Sequence, residues 1–308
     1  MSYDFYAKYY GKPDIRNWNQ YTILKCIKIG DNATYKKAIQ QYKLKQINPH
    51  LEYTKWFTPS KVYPLDSSIV IKIDFRLKKY YISKDDDEFW PKDNPICKDK
   101  VFKVPLVRAS SWKGTLRYSA TRIVLGKSDE EKIDARLALL RLFGNEKDKI
   151  EDFLDDQFGA ELKSKYKQKV KEIYGDEGPN VRGRLVFYPT FLDKIGLDII
   201  APHDRERRTV KVPIQFEVAP ENAEGTFSVL YFPFDLLGRE GKDVKEEVAQ
   251  DLEILRDAIP AMLTKYGFGA KTTAGYGVAE IKKIEVNGRD CEINWNKALE
   301  VAKSEIGK

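Results

Sequence analysis

The run Asp93 to Arg117, D-N-P-I-C-K-D-K-V-F-K-V-P-L-V-R-A-S-S-W-K-G-T-L-R, changes character half-way along. Pro95 and Pro105 keep its first half out of regular helix. Ser110 and Ser111 are good N-cap residues directly before Trp112, Leu116, Ala120, Ile123 and Val124, which recur at helical spacing. The spacing predicts a loop that becomes a helix near Ser111. The first turn of such a helix offers unpaired backbone N–H groups beside Lys113, with Arg117 one turn on and on the same side, which makes a seat for a phosphate. Nucleic acid is the first ligand that seat suggests.

Upstream, S-S-I-V-I-K-I-D-F-R-L (Ser67 to Leu77) alternates Ile69, Ile71, Ile73, Phe75 and Leu77 with mostly polar residues, the pattern of a half-buried strand. Between the two, Lys84 to Glu88 is an acidic run that reads as a solvated loop or a metal site. Residues 1–62 are rich in tyrosine and lysine. Tyr9, Tyr10, Arg16, Trp18, Tyr35, Lys36 and Lys37 there suit either stacking on bases or packing as a surface extension on a neighbour. Downstream, Ser128 and Glu131 form a capping box for a helix with Ile133, Leu137, Leu140 and Phe143 on one side and Gly144 as its C-cap. Glu151 to Tyr174 reads as an exposed helix and Gly183 to Tyr188 as a strand. Thr190 to Arg208, which holds His203, Arg205, Arg207 and Arg208, reads as a long loop. Val210 to Val218 and Gly225 to Phe232 alternate as two strands around the turn-rich P-E-N-A-E-G and predict a hairpin. Asp243 to Tyr266 is an amphipathic helix that Pro260 must kink or divide; a strand to about Val286 and a helix from Asn296 to Glu305 follow.

That order, strand, helices, strand, hairpin, helix, strand, predicts an α+β fold. Its core is ferredoxin-like (RRM-like), β-α-β-β-α-β, with inserted helices, a long loop or hairpin and an N-terminal extension. The expected division is an extension over 1–62, an RNA-binding domain over 63–290 and a terminal helix over 291–308. Sheets of this kind often bind RNA on or beside their open face.

The run G-F-G-A-K-T-T-A-G-Y-G, Gly267 to Gly277, fails two nucleotide tests. A helix rather than a strand precedes it and Ala270 stands before Lys271 and Thr272, so it is no P-loop; Thr272 replaces the last glycine of a dinucleotide fingerprint. Two readings remain, a tight helix-to-strand connection or a turn at Gly267, Gly269, Thr272 and Gly275 that lets a nucleic-acid backbone approach Lys271.

The totals constrain without deciding. Lys and Arg number 54 against 47 Asp and Glu, a net charge of +7, so a polyanion site must come from placement rather than bulk charge. Three widely spaced cysteines, Cys26, Cys97 and Cys291, lack a C-x-x-C pair, which disfavours a disulfide framework and a cysteine zinc site and suggests a reducing cytoplasm. No segment has the apolar length of a membrane span or signal peptide.

Four landmarks in order, S-S-W-K-G-T-L-R from Ser110, R-L-F-G from Arg141, G-R-L-V-F from Gly183 and the glycine run, resemble the RAMP superfamily, the repeat-associated RNA-binding subunits of CRISPR effector complexes. The resemblance spans roughly Ile69 to Glu285. It departs at Arg108 and Ala109, where the family usually has proline and glycine, which puts the start of the helix in question. Within the superfamily, D-N-P-I at Asp93 with Pro105 and the serines is similar to the backbone subunits of type III effectors. The resemblance implies that Asp93 cleaves target RNA with a divalent cation, Mg2+ or Mn2+, none tightly bound. It also implies that Thr190 to Arg208 is a hairpin inserted between bases with Arg205, Arg207 and Arg208 on phosphates. The implied partners are guide RNA, target RNA, other RAMP subunits and the large cyclase-polymerase-like subunit. Two alternatives stand beside this reading. One is a non-catalytic capping subunit of the same complex, with Asp93 an ordinary turn residue. The other is a free-standing endoribonuclease that trims guide precursors with His203 as general base.

Overall fold

Strand β1 (Ile69–Leu77) lies at the centre of the architecture. Its alternation is realised in full: Ile69, Ile71, Ile73, Phe75 and Leu77 are buried, while Lys72, Asp74 and Arg76 point the other way. The computed structural model describes residues 68–85, 94–99, 104–145, 149–175, 181–200, 203–204, 209–210, 214–237 and 242–305. The expectations for residues 1–62 and for the acidic residues 86–88 lie outside them.

Four strands besides β1 complete the main sheet: β3 (Leu185–Phe187), β9 (Glu224–Tyr231), β10 (Ala279–Val286) and β11 (Arg289–Asp290). Their order is β11-β10-β1-β9-β3, and every pairing is antiparallel. Helices α1 (Ala109–Leu125), α2 (Asp129–Phe143) and α3 (Lys149–Tyr174) intervene between β1 and β3, and α4 (Lys242–Ala261) between β9 and β10. Trp112, Leu116, Ala120 and Val124 of α1 join Leu252, Leu255 and Ile259 of α4 over the buried side of β1 in one apolar cluster. Each fully buried side chain of this size contributes about 1.5–3 kcal/mol. On the opposite side Arg76 pairs with Glu224 at 2.6 Å and Asp74 accepts the Thr226 hydroxyl at 2.6 Å, so these charges are spent on one another.

Helix α1 begins at Ala109, one residue before the first of the two serines, so neither serine is its N-cap. Arg108 is its N-cap, in extended conformation (φ −67°, ψ 148°), and its carbonyl accepts from Ser111 and Trp112 N–H at 3.0 and 3.1 Å. That φ is the value a proline imposes, so the departure at Arg108 leaves the helix start as a proline would set it. In α2 the Glu131 carboxylate accepts the Ser128 hydroxyl at 2.9 Å and the Ser128 N–H at 3.4 Å, closing the expected capping box. Helix α3 breaks at Gly159 (φ 72°), which its charge pattern concealed. Pro260 sits inside the last turn of α4, and the chain passes directly into a π-helical turn, Met262–Tyr266. The terminal helix α5 (Trp295–Ser304) is capped by Asn294 and buries Ala298 and Ala302 in the main cluster. Asn287 and Gly288, both at positive φ, turn β10 into β11, an Asn-Gly hairpin signal present in the sequence.

The expected hairpin between Val210–Val218 and Gly225–Phe232 does not form. Strand β8 (Ile214–Val218) pairs with β5 (Gly196–Ile200), inside the segment read as loop, and β6 (His203–Asp204) pairs with β7 (Thr209–Val210) further out. Thr190–Phe191 is a further short strand, β4, paired with β2 (Leu106–Val107). The cause lies at the turn. Asn222 N–H bonds to Leu77 O and Leu77 N–H to Ala223 O, both at 2.8 Å, so the chain docks beside the end of β1 and β9 enters the sheet with both edges taken by β1 and β3. The β5–β8 pairing is therefore a two-stranded ribbon separate from the main sheet.

Candidate nucleic-acid interface

The four sequence landmarks come together in two pairs. The helix start meets the glycine run: Trp112 is fully buried, and its ring lies 4.5 Å from that of Phe268, with Phe227 at 4.9 Å and Phe75 at 6.1 Å. Its indole N–H donates to the Thr190 hydroxyl at 3.0 Å, which passes a bond to Thr226 O. The second pair is R-L-F-G with G-R-L-V-F. The backbones of Gly144 and Gly183 approach so closely that a Cβ on Gly183 would lie 2.6 Å from the Phe143 carbonyl carbon. Beside that contact Arg141 Nε and Arg184 donate to the two oxygens of fully buried Asp251 at 2.9 and 2.7 Å, and the Tyr231 hydroxyl donates to the second at 3.0 Å. Burial pushes the Asp251 carboxyl up from its ordinary value, against the pull of Arg141 and Arg184.

The glycine run is a tightly bonded turn. Gly277 N–H donates to Tyr80 O and Ala270 N–H to Ile82 O, each at 2.7 Å, so the turn is stitched to the chain leaving β1. Gly277 is at φ 72°, and a Cβ there would fall 1.9 Å from Phe268 O. Lys271 is exposed at φ 60°, and its ammonium lies 4.7 Å over the Phe216 ring. Thr272–Ala274 forms one 3-10 turn, followed by Gly275 at φ 83°. Tyr276, not singled out in the sequence, donates to Asp198 of β5 at 2.7 Å. The inner face of the turn is thus locked, as the tight-connection reading expects, and Lys271 lies outside it.

Strand β8 presents alternate side chains to opposite sides. Phe216 meets Lys271, while Glu217 meets the segment that follows Asp93. Glu217 N–H donates to Asn94 O at 3.0 Å, Glu217 Oε2 accepts from Ile96 N–H at 3.2 Å, and the same oxygen pairs with Lys98. Both side chains of that ion pair are withdrawn from water; burial lowers the Lys98 amine's pKa, with Glu217 opposing. On its other edge the segment bonds to the lead-in of α1, Leu106 N–H to Cys97 O at 2.8 Å. Arg108 reaches Asp85 at 3.5 Å beside it.

Of the residues the sequence proposed, Ser110 is exposed, Ser111 and Lys113 are half-buried, and all three lie in the first turns of α1. Arg117 is 7 % exposed, which corrects its expected place beside Lys113 on an open face: little of it is left to meet a polyanion. His203 belongs to β6, paired with Val210. Asp93, Arg205, Arg207 and Arg208 lie outside the described residues. Lys98 and Glu217 went unnoticed because their pairing spans 119 positions, and no local spacing signals it.

The chain matches the family described as RAMPs, RAMP superfamily, over residues 54–280, most of its length. It belongs to the RAMP superfamily. It is also 24 % identical over 199 residues to the CRISPR system Cms endoribonuclease Csm3 of Streptococcus thermophilus, covering 63 % of this chain and 76 % of that one. Similar solved structures include a type III-B Cmr-beta complex bound to cognate target RNA, with a TM-score of 0.44 and 16 % identity over 84 % of this chain and 68 % of the other. Another is Cmr6 from Pyrococcus furiosus, with a TM-score of 0.37 and 16 % identity over 70 % and 99 %.

In this RAMP chain no group of three His, Cys, Asp or Glu residues among the described ones could hold a metal ion, so the described part of the chain does not by itself fit a cation seat. No helix among them is long and apolar enough to cross a membrane.

Proposed function

We propose that this RAMP chain is a backbone subunit of a type III CRISPR effector complex that grips guide RNA and cuts the paired target RNA through Asp93. The observation that carries the proposal is the Trp112–Phe268 contact, which packs the helix start that carries Lys113 against the glycine turn that carries Lys271. Lys113 and Lys271 are assigned to phosphates, with Ser110, Ser111, Gly267, Gly269, Thr272 and Gly275 allowing the sugar–phosphate strand to approach closely. The core is assigned as ferredoxin-like, a reading supported by the sheet order β10-β1-β9-β3 with helices on one side. The ribbon is assigned to the duplex, and Arg205, Arg207 and Arg208 of the same stretch of sequence to phosphates. Neighbouring RAMP subunits and the large cyclase-polymerase-like subunit are the protein partners. The relationship to a protein named as a CRISPR endoribonuclease supports the cutting role.

In the proposed reaction the Asp93 carboxylate takes the proton of the target's 2′-hydroxyl. The oxygen attacks the adjacent phosphorus, the bond to the 5′-oxygen breaks with water supplying that oxygen's proton, and the products are a 2′,3′-cyclic phosphate and a 5′-hydroxyl. The protein's larger contribution is to hold the strand so that attack is in line. The test is Asp93→Ala in the reconstituted complex: cleavage at every site is expected to fall at least about a hundredfold with target affinity unchanged. Cleavage persisting at the same sites would favour the non-catalytic capping subunit instead.

A further inference from the structure

We infer that Glu217 is a positioning residue for target cleavage: its buried carboxylate grips the backbone of the Asn94–Lys98 segment and so fixes the nuclease loop to the base of the ribbon. The inference rests on the Asp93 reading above. Asn94 directly follows Asp93 in the chain, and the next residues are tied to β8 three times. Two ties come from Glu217 Oε2, to Ile96 N–H at 3.2 Å and to the Lys98 ammonium; the third runs from Glu217 N–H to Asn94 O at 3.0 Å.

The burial of this pair needs an explanation beyond stability. The Glu217 side chain is 0 % and the Lys98 side chain 1 % exposed, and Glu217 Oε1 has no hydrogen-bond partner among the described residues. An apolar pair of the same volume would hold such a site at least as well, because desolvating two charges offsets most of their attraction. What an apolar pair cannot supply is an acceptor for the Ile96 N–H. Geometry gives that acceptor a use. Phe216 and Glu217 are consecutive on β8 and face opposite ways, Phe216 under Lys271 of the glycine turn and Glu217 against the nuclease loop. The ribbon base is therefore the layer through which the strand-gripping turn and the cutting loop keep register, and in-line attack tolerates little error in that register.

Two double variants of the assembled, guide-loaded complex separate positioning from stability. Glu217→Gln with Lys98→Met keeps an oxygen for Ile96 N–H; Glu217→Leu with Lys98→Met does not, and neither strands a charge. Single-turnover cleavage at saturating target is expected within about threefold of the unsubstituted rate for the first and about tenfold or more below it for the second, with target affinity equal in both. Full-rate cleavage by the leucine variant, or equal slowing of both, overturns the inference. If the leucine variant does not assemble, amide exchange of the peptide spanning Asn94–Lys98 decides: protection that falls in Glu217→Gln, Lys98→Met no further than in the β10 peptide supports the grip, and an Ile96 amide that exchanges freely in the unsubstituted complex overturns it. Asp93→Ala run in parallel distinguishes the two layers. Loss of cutting in Asp93→Ala with full-rate cutting by the leucine variant sinks only the Glu217 role, whereas cutting that survives Asp93→Ala sinks the nuclease reading and this inference together.

Discussion

Two joints hold the sequence landmarks together, and they are built from opposite materials. The Trp112–Phe268 joint is aromatic at its centre and ends in an exposed turn carrying Lys271. The Arg141–Asp251–Arg184 joint is ionic at its centre and closed: both guanidinium groups lie against an aspartate with no exposure. A motif scan for RNA-binding charge would rank the second above the first. The structure reverses that order, because Arg141 and Arg184 are consumed inside the molecule, Arg184 also by Asp235 and Glu247. An arginine in a motif is evidence for a polyanion only if nothing closer claims it.

Emptying the aromatic joint should cost the molecule most. Trp112→Ala removes the ring that touches Phe75, Phe227 and Phe268 and is expected to cost about 3–5 kcal/mol in urea unfolding. RNA affinity of the molecules that remain folded should fall with it, since helix start and glycine turn lose their common contact. Asp251→Ala removes the buried carboxylate that Arg141 and Arg184 share, leaving them Glu247 and, for Arg184, Asp235, and is expected to cost a slightly smaller amount, about 3 kcal/mol. Here RNA affinity of the folded fraction should not change; a loss there would make the ionic joint part of the interface after all.

A smaller effect probes the link between the aromatic joint and the ribbon. Tyr276→Phe removes the hydroxyl bond to Asp198 and is expected to cost about 1 kcal/mol, read as faster amide exchange in residues 196–200. Burial, then the Asp198 bond, pushes the Tyr276 hydroxyl from 10.0 up to about 12. The folded form holds its proton where the unfolded form has lost it, so this contribution is complete below pH 10 and fades as pH rises towards 12. The alkaline step should be absent in Tyr276→Phe when ribbon exchange is followed across that range.

The same contrast explains what the sequence made legible. Alternation in Ile69 to Leu77 and helical spacing from Trp112 to Val124 are local signals with one apolar face, and both elements form as read. Periodicity read a loop here, although the family resemblance implied a hairpin, because neither Gly196–Ile200 nor Thr209–Val210 carries a clean alternation; β5 is held by pairing with β8, and β7 by pairing with β6. The turn P-E-N-A-E-G was rightly a turn, but it joins two different sheets, a fact fixed by its bonds to Leu77 across 145 positions or more rather than by its composition. Arg117 shows the same limit on a helix: spacing put it near Lys113, while packing withdrew it from the surface.

The salt dependence of guide-RNA binding by Lys113→Ala, Lys271→Ala and the double variant tests directly that the helix start and the glycine turn act as one RNA grip. Each substitution is expected to weaken binding whatever the RNA sequence and to lower the slope of log affinity against log salt by about one, the double variant by about two. Affinity and slope both unchanged in the double variant would contradict it.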